Sequence, residues 1–314
     1  MDRKANELEQ LIKKSVKGIP EDAVLALSGG VDSGLLAALL RPKRVVTVEL
    51  PFGEQFDELN YTKKVVDYLK LNHTVVTFNI QDFDEVMEKA VKVIGRPIPH
   101  FNIYPLYKMY EKLALDGVKN VILGDGPDES MCGYTRHLIM KYLYDSYNLF
   151  EYYHPTMDKI LPHVSVAYKR ILSDPDVNRL SVESIFKRFG LVKAMCAIDM
   201  EFMRPSMIDM SDGLAKHFGI KNIRPYETKA VDDFMFNLPD EMKIAVKSDK
   251  NGQTLYGKWL LRVIASNYLT VDIAWRKHKV GGPLVPVNKI KGWLNTDGEF
   301  GKTSYLRWQK EILA

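Results

Sequence analysis

Ala26-Leu27-Ser28-Gly29-Gly30-Val31-Asp32-Ser33 joins the end of an apolar run to a Ser-Gly-Gly turn and the start of a helical pattern. Glycines lack a Cβ, so backbone N–H groups can turn inward, and the helix N-terminus behind them adds partial positive charge. A strand-turn-helix unit of this composition suits an anion such as pyrophosphate, with Ser28 and Ser33 adding hydroxyl donors. Outward from it, short apolar runs alternate with helical periodicity. Strands are expected at Ala23 to Leu27, Arg44 to Leu50, His73 to Phe78 and Asn120 to Leu123. Helices are expected from about Asp32 and around Tyr61 to Leu69, Val86 to Ile94 and Ile103 to Leu115. Strands separated by helical crossovers predict the doubly wound α/β class, a parallel sheet covered on both faces, with ligands at the carboxyl ends of its strands.

The loop departs from the nucleotide-binding pattern that ends in Gly-Lys-Ser/Thr, because Asp32 stands where a lysine would neutralise phosphate. A carboxylate beside a polyphosphate is repelled unless it ligates a cation, which makes Asp32 a candidate Mg²⁺ ligand. Taken alone, Asp32 also reads as a first-turn acid that favours the helix dipole. A second strand-end loop, Val121-Ile122-Leu123-Gly124-Asp125-Gly126-Pro127-Asp128-Glu129, sets three carboxylates within five residues. It starts like a dinucleotide fingerprint, but Glu129 stands where the third glycine belongs. An acidic solvated loop is the plain alternative. Phosphate donors at one strand end and carboxylates at another favour a Mg²⁺-nucleotide site over either loop read alone.

The rest of the chain bounds this reading. Its 314 residues allow one large domain or two ordinary ones, and 46% hydrophobic with 27% charged residues is a globular composition. A net charge of +4 is too mild to announce a nucleic-acid or membrane-surface protein. Cys132 and Cys196 show no paired spacing, which excludes a disulfide framework or zinc knuckle. The charged opening Met1-Asp2-Arg3-Lys4 is no secretory signal, and the apolar run Val24 to Leu40 is interrupted by Ser28, Gly29, Gly30, Asp32 and Ser33, so a cytoplasmic protein is expected. Leu8, Leu11, Ile12 and Val16 mark a first helix stopped by Gly18 and Pro20. Beyond Tyr134, Tyr142, Tyr144, Tyr147, Phe150, Tyr152 and Tyr153 crowd a helical stretch without renewed strand alternation, and they read as packing surface, not as a base-stacking platform. The expected organisation is an N-terminal helix over 1–19, an α/β core over 20–140 and a helical portion of the same unit over 141–314.

Taken together, the two loops resemble the N-type ATP pyrophosphatases, the PP-loop superfamily with its adenine nucleotide alpha hydrolase-like fold. Within it the likeness is to the synthetase domain of glutamine-dependent asparagine synthetases and of the β-lactam and carbapenam synthetases. Ser28-Gly-Gly-Val-Asp-Ser33 resembles the superfamily signature, Phe56-Asp57-Glu58 with Tyr61 follows the second strand, and Gly124 to Glu129 with Gly133-Tyr134 resembles the acidic segment. Gly219-Ile220 to Arg224-Pro225-Tyr226, Asn237-Leu238-Pro239, Lys258-Trp-Leu-Leu-Arg262 and Trp275-Arg276 continue it, so that the likeness covers roughly residues 20 to 295 in one order.

The resemblance implies roles. Leu27, Ser28, Gly29, Gly30, Asp32, Ser33 and Gly124 would line ATP and pyrophosphate, and Asp32 and Asp128 would ligate Mg²⁺. Asp125 takes the place of a carboxylate that assists metal binding or proton removal from the amine. Lys258 or Arg262 would neutralise departing pyrophosphate, and Lys279, with Lys277 as rival in a compressed stretch, would stabilise acyl-adenylate formation. The implied activity adenylates a carboxylate with ATP and passes ammonia or another amine to it, with aspartate and ammonia as the leading pair. Glutamine-using members carry a nucleophilic cysteine after the initiator Met, and residue 2 here is Asp. Nitrogen is therefore expected from free ammonia, from a separate glutaminase subunit, or from the amine of another substrate. Asp125, Leu123 and Pro127 stand where the family has Glu, Ser and Ser. Three other readings remain: intramolecular lactam or amide closure, a PP-loop enzyme that adenylates tRNA, and a non-catalytic ATP-binding module.

Overall fold

The computed structural model describes residues 2–49, 58–77, 80–98, 100, 102–150, 168, 179–250, 252–277 and 302–314, without side chains for 147–150, 179–180 and 302–303. Strand β1 (Val24–Ala26) pairs in parallel with β2 (Val45–Val48) on one side and β4 (Asn120–Ile122) on the other, with Leu25 opposite Val45 and Val24 opposite Val121. With β3 (His73–Val76) and β5 (Lys221–Ile223) the sheet order is β3-β2-β1-β4-β5, all parallel. The chain steps outward from β1 to β2 and β3, then returns to the other side of β1. That reversal is a topological switch point, where the loops leaving β1 and β4 diverge and open a crevice.

Central position explains composition. Val24 and Leu25 are both buried although consecutive, as a strand covered on two faces requires. The helix Val31–Leu40 is apolar nearly all round and buried from Val31 to Ala38; it ends where Arg41 turns left-handed with φ +48°. Helix Phe83–Ile94 lays Phe83, Val86, Met87, Ala90 and Val91 into a core shared with Tyr104, Tyr107 and Tyr110 of helix Ile103–Leu115. Each such buried apolar side chain contributes about 1.5–3 kcal/mol relative to exposure. The buried hydroxyl of Tyr110 donates to Asn222 Oδ1 at 2.9 Å. Helix Lys302–Leu313 packs on Phe83–Ile94 and anchors itself through Gln309, which accepts from Ile98 N at 2.7 Å and donates to Ile98 O at 3.0 Å.

These elements belong to one compact unit, Val16–Gly124, Ser206–Arg224 and Tyr268–Ala314, here the sheet unit. The other, the helical unit, takes Met1–Ser15, Asp125–Pro205 and Pro225–Asn267. Its first helix, Asp2–Ser15, buries Ala5, Leu8 and Ile12 and packs on helices Lys229–Phe236 and Trp259–Ala265. Val182, Phe186, Met195, Ile198 and Tyr168 form the core of this unit, with half-buried Tyr144 packed against it. An antiparallel hairpin, β6 (Ile244–Asp249) and β7 (Gly252–Gly257), completes it.

The first four strands and the helices between them lie where the periodicity places them, and the second half is largely helical. It also holds three strands that the alternation does not announce. Lys221-Asn222-Ile223 is a strand because β4 offers it a free edge, Asn120 opposite Lys221, and not because of its own pattern. The β6–β7 hairpin is too polar to declare itself: Ser248, Asp249, Gly252 and Gln253 are exposed. Of the aromatic cluster, Tyr142 is exposed; Tyr152 and Tyr153 lie outside the described residues. Among the described residues no helix is long and apolar enough to cross a membrane.

Candidate active site

In the sheet unit, Leu27 is tied to β2, its N–H donating to Val46 O at 2.8 Å and its carbonyl accepting from Thr47 Oγ1 at 2.8 Å. The chain then leaves the sheet. Gly29 takes φ +67°, and a Cβ there would lie 2.6 Å from Thr62 N and 2.8 Å from Tyr61 backbone, so only glycine fits. Ser33 Oγ accepts from Ser28 N at 3.1 Å and stands 3.1 Å from Ser28 Oγ, while Gly30 N–H makes a long bond, 3.4 Å, to Ser28 Oγ. The turn is closed by its own hydroxyls and delivers Gly30 to the N-terminus of helix Val31–Leu40. Gly124, just past β4, brings its backbone close to the turn: a Cβ there would meet Ser33 N at 3.2 Å and Ser33 Cα at 3.4 Å. Strand order thus brings Ser28 to Ser33 and Gly124 together. Asp32 lies in the first turn of that helix, 9% exposed.

Arg276 also reaches this loop. Its Nη1 donates to Gly29 O at 3.0 Å and its Nη2 to Glu58 Oε1 at 2.6 Å, and its guanidinium lies 4.0 Å from the centroid of the Tyr61 ring. Glu58, Tyr61 and Arg276 all fall within the resembling segments, and the resemblance implies no role for Arg276. A lone arginine far along the chain carries no local signal of what it will touch.

In the helical unit, the acidic loop carries exposed Asp125, the short helix Pro127–Ser130 with Asp128 and Glu129, and then Gly133-Tyr134. Lys258 Nζ lies 2.8 Å from Asp128 Oδ1, with side chains 3% and 23% exposed, so two of the expected site residues form one ion pair. The hairpin end makes this possible. Lys258 follows β7 with φ +56°, and its N–H donates to Met131 O at 2.8 Å. Gly133 leaves the room: a Cβ there would lie 2.1 Å from both Asp128 Oδ1 and Lys258 Cε. Arg262 donates from Nε to Gly257 O at 2.9 Å.

Behind the pair lies a buried polar layer. Glu129 accepts from the Tyr134 hydroxyl; burial, and next the charge of Asp128, push its pKa up to about 8. Asp199, fully buried, accepts from His137 Nε2 at 2.7 Å and from Arg136 Nη2 at 2.5 Å. Burial holds the His137 pKa below its ordinary value against the pull of Asp199. Lys277 lies in the sheet unit beside Arg276; Lys279, Phe56 and Asp57 lie outside the described residues.

Comparison with known proteins gives this site its context. A family model described as asparagine synthase matches residues 7–298. A protein provisionally named asparagine synthetase (glutamine-hydrolyzing) 2, from Methanocaldococcus jannaschii, is 35% identical over 116 residues, 36% of this chain and 22% of the relative. A second, provisionally named asparagine synthetase (glutamine-hydrolyzing) 1 from the same organism, is 28% identical over 157 residues, 46% of this chain and 29% of its own. The asparagine synthetase (glutamine-hydrolyzing) of Asparagus officinalis is 29% identical over 225 residues, 65% of this chain and 34% of its own. The matches therefore span about a third or less of these relatives.

Proposed function

We propose, from the premise that this chain belongs to the asparagine synthase family, that it adenylates aspartate with ATP and Mg²⁺ and amidates it with free ammonia. At family level the chemistry is ATP-dependent amide formation. The observation that carries the reading is the switch point of the sheet, where the Ser28 to Ser33 turn meets Gly124 at the N-terminus of a buried helix.

A carboxylate resists nucleophiles until one oxygen becomes a good leaving group. Its oxygen attacks the α-phosphorus of ATP, the bond to the bridging β-phosphate oxygen breaks, and pyrophosphate leaves. Ammonia then adds to the acyl carbon of the acyl-AMP, loses a proton, and AMP departs with the former carboxylate oxygen. In this reading the Gly30 N–H and the hydroxyls of Ser28 and Ser33 bind the departing pyrophosphate, and Leu27 and Gly124 line the nucleotide. By the family resemblance, Lys258 or Arg262 neutralises its charge, and Asp125 accepts the ammonium proton or assists the metal. Lys279, or Lys277 in its place, stabilises the charge that builds on the α-phosphate.

Asp32 in the sheet unit and Asp128 in the helical unit each offer hard carboxylate oxygens, the donor type that suits Mg²⁺. Mg²⁺ takes one or two carboxylates and keeps waters and substrate phosphates, which such a set allows. When bound, the ion supplies charge that lets Asp32 and Asp128 face a polyphosphate.

Free ammonia is the nitrogen source in this reading, with a separate glutaminase subunit or the amine of another substrate as the alternatives; Cys132 and Cys196 are fully buried 3.6 Å apart. The test is release of AMP and pyrophosphate from ATP with Mg²⁺, using a panel of amino acids, with ammonium, with glutamine, or with neither. Asparagine formed only with aspartate plus ammonium is the expected result. ATP consumption that needs no ammonium would replace the reading with intramolecular closure, and ATP binding without cleavage would replace it with a binding module.

A further inference from the structure

A loop that holds an anion must turn its carbonyl oxygens away, and the Gly29–Gly30 peptide has one at the centre of the turn. Gly29 also has the backbone freedom to present it, since glycine readily changes between positive and negative φ. We propose that Arg276 is a positioning residue for the phosphate loop: its guanidinium holds the Gly29 carbonyl outward, so that the N–H of the same peptide faces the pyrophosphate site. The inference rests on the reading of Ser28 to Ser33 as that site.

The geometry supplies three constraints on one planar group. Nη1 binds Gly29 O at 3.0 Å, Nη2 binds Glu58 Oε1 at 2.6 Å, and the plane lies over Tyr61 at 4.0 Å. A lysine ammonium can meet one or two of these, because it has neither the fork nor the flat face. The Arg276 and Glu58 side chains are only 7% and 9% exposed, so the charge-assisted bond acts in a medium of low polarity. In a trans peptide the N–H points opposite to the C=O, so fixing the Gly29 carbonyl also fixes Gly30 N–H, and a cation on that oxygen makes the N–H a stronger donor. Its present acceptor, Ser28 Oγ at 3.4 Å, is distant enough to yield to an anion.

The remainder of the unit keeps the arginine in place. Arg276 follows the short helix Val271–Ala274, which packs on helices Val31–Leu40 and Leu59–Leu69, the two that flank the loop. Leu269 and Ile273 close the space over Gly34 of helix Val31–Leu40, where an added Cβ would meet Leu269 Cδ1 at 3.3 Å and Ile273 Cγ2 at 3.9 Å. Glu58 in turn begins the second, its carbonyl accepting from Tyr61 N at 3.0 Å and Thr62 N at 2.9 Å.

The experiment is calorimetric binding of inorganic pyrophosphate and of ATP, each with Mg²⁺, to the wild type, R276K and R276A, the last with and without millimolar guanidinium. Loss of a hydrogen bond to a charged group predicts pyrophosphate binding about 10- to 100-fold weaker in R276A. R276K should fall between, and guanidinium should recover binding in R276A while leaving the wild type unchanged, which a merely structural role would not produce. Wild-type affinity in R276A, or in R276K should R276A not fold, overturns the proposal. So does a loss that guanidinium leaves untouched. Failure of the wild type to bind either ligand overturns the phosphate-loop reading itself and the role of Arg276 with it.

Discussion

Replacing Glu129 by Gln should make the protein more stable than the wild type at alkaline pH and leave the two alike in acid. Glu129 is 3% exposed beside Asp128 and accepts from the Tyr134 hydroxyl. Burial first, and the Asp128 charge second, raise its pKa from an ordinary 4.5 to about 8. The sign follows from proton counting. Between those values the folded state keeps a proton that the unfolded chain has released, so stability falls as pH rises through that window and is level above it. The span, 8 − 4.5, is about 3.5 pH units, which at 1.36 kcal/mol per unit sets a ceiling of about 5 kcal/mol on the loss. Gln keeps the volume and the acceptor for Tyr134 but cannot ionise. His137, whose pKa is lowered, contributes the opposite slope, stability rising with pH toward its unfolded value, and does so in both proteins. Urea denaturation of wild type and E129Q from about pH 5 to about pH 9 gives the difference directly. The reasoning is refuted if that difference is flat across the window.

Gly133→Ala places a Cβ 2.1 Å from Asp128 Oδ1 and Lys258 Cε, so the ion pair must part; about 1–3 kcal/mol of stability and pyrophosphate release should both be lost, read by thermal denaturation and a release assay. Gly257→Ala meets backbone, Cys132 O at 1.9 Å and Cys132 C at 2.8 Å, and is expected to cost about 3 kcal/mol or more in the same melt, the larger of the two effects. Lys258→Met removes the cation facing Asp128; because Asp128 is 23% exposed, the stability loss should be about 1–3 kcal/mol, below that of a fully buried pair, while turnover of ATP stops. Turnover at the wild-type rate in K258M would remove Lys258 from the chemistry. Asp32→Ala and Asp128→Ala should each abolish pyrophosphate release, and unchanged release in both would overturn the metal assignment.

What the sequence determined by itself is local. The Ser28 to Ser33 turn is legible because Gly29, Gly30 and two hydroxyl residues settle the backbone within one turn, and the central strands β1 and β2 are legible because burial on both faces favours near-continuous apolar runs. Asp128 is legible as one of three carboxylates in a strand-end loop, whereas Lys258 is a candidate only through resemblance. Nothing local pairs the two, since their contact depends on a polar hairpin whose end docks by Lys258 N to Met131 O. Gly133 shows why: its need for glycine comes from Asp128, side chain and Cα, and from the Lys258 side chain 125 positions away in the chain, and no local preference encodes the crowding by Lys258. The tertiary structure likewise decided that β4 lies beside β1, which sets Gly124 against Ser33, and that Arg276 holds Gly29. Strand order and long-range contacts are chosen by competition among all the apolar surfaces of the chain, a global balance that residues read one neighbourhood at a time do not contain.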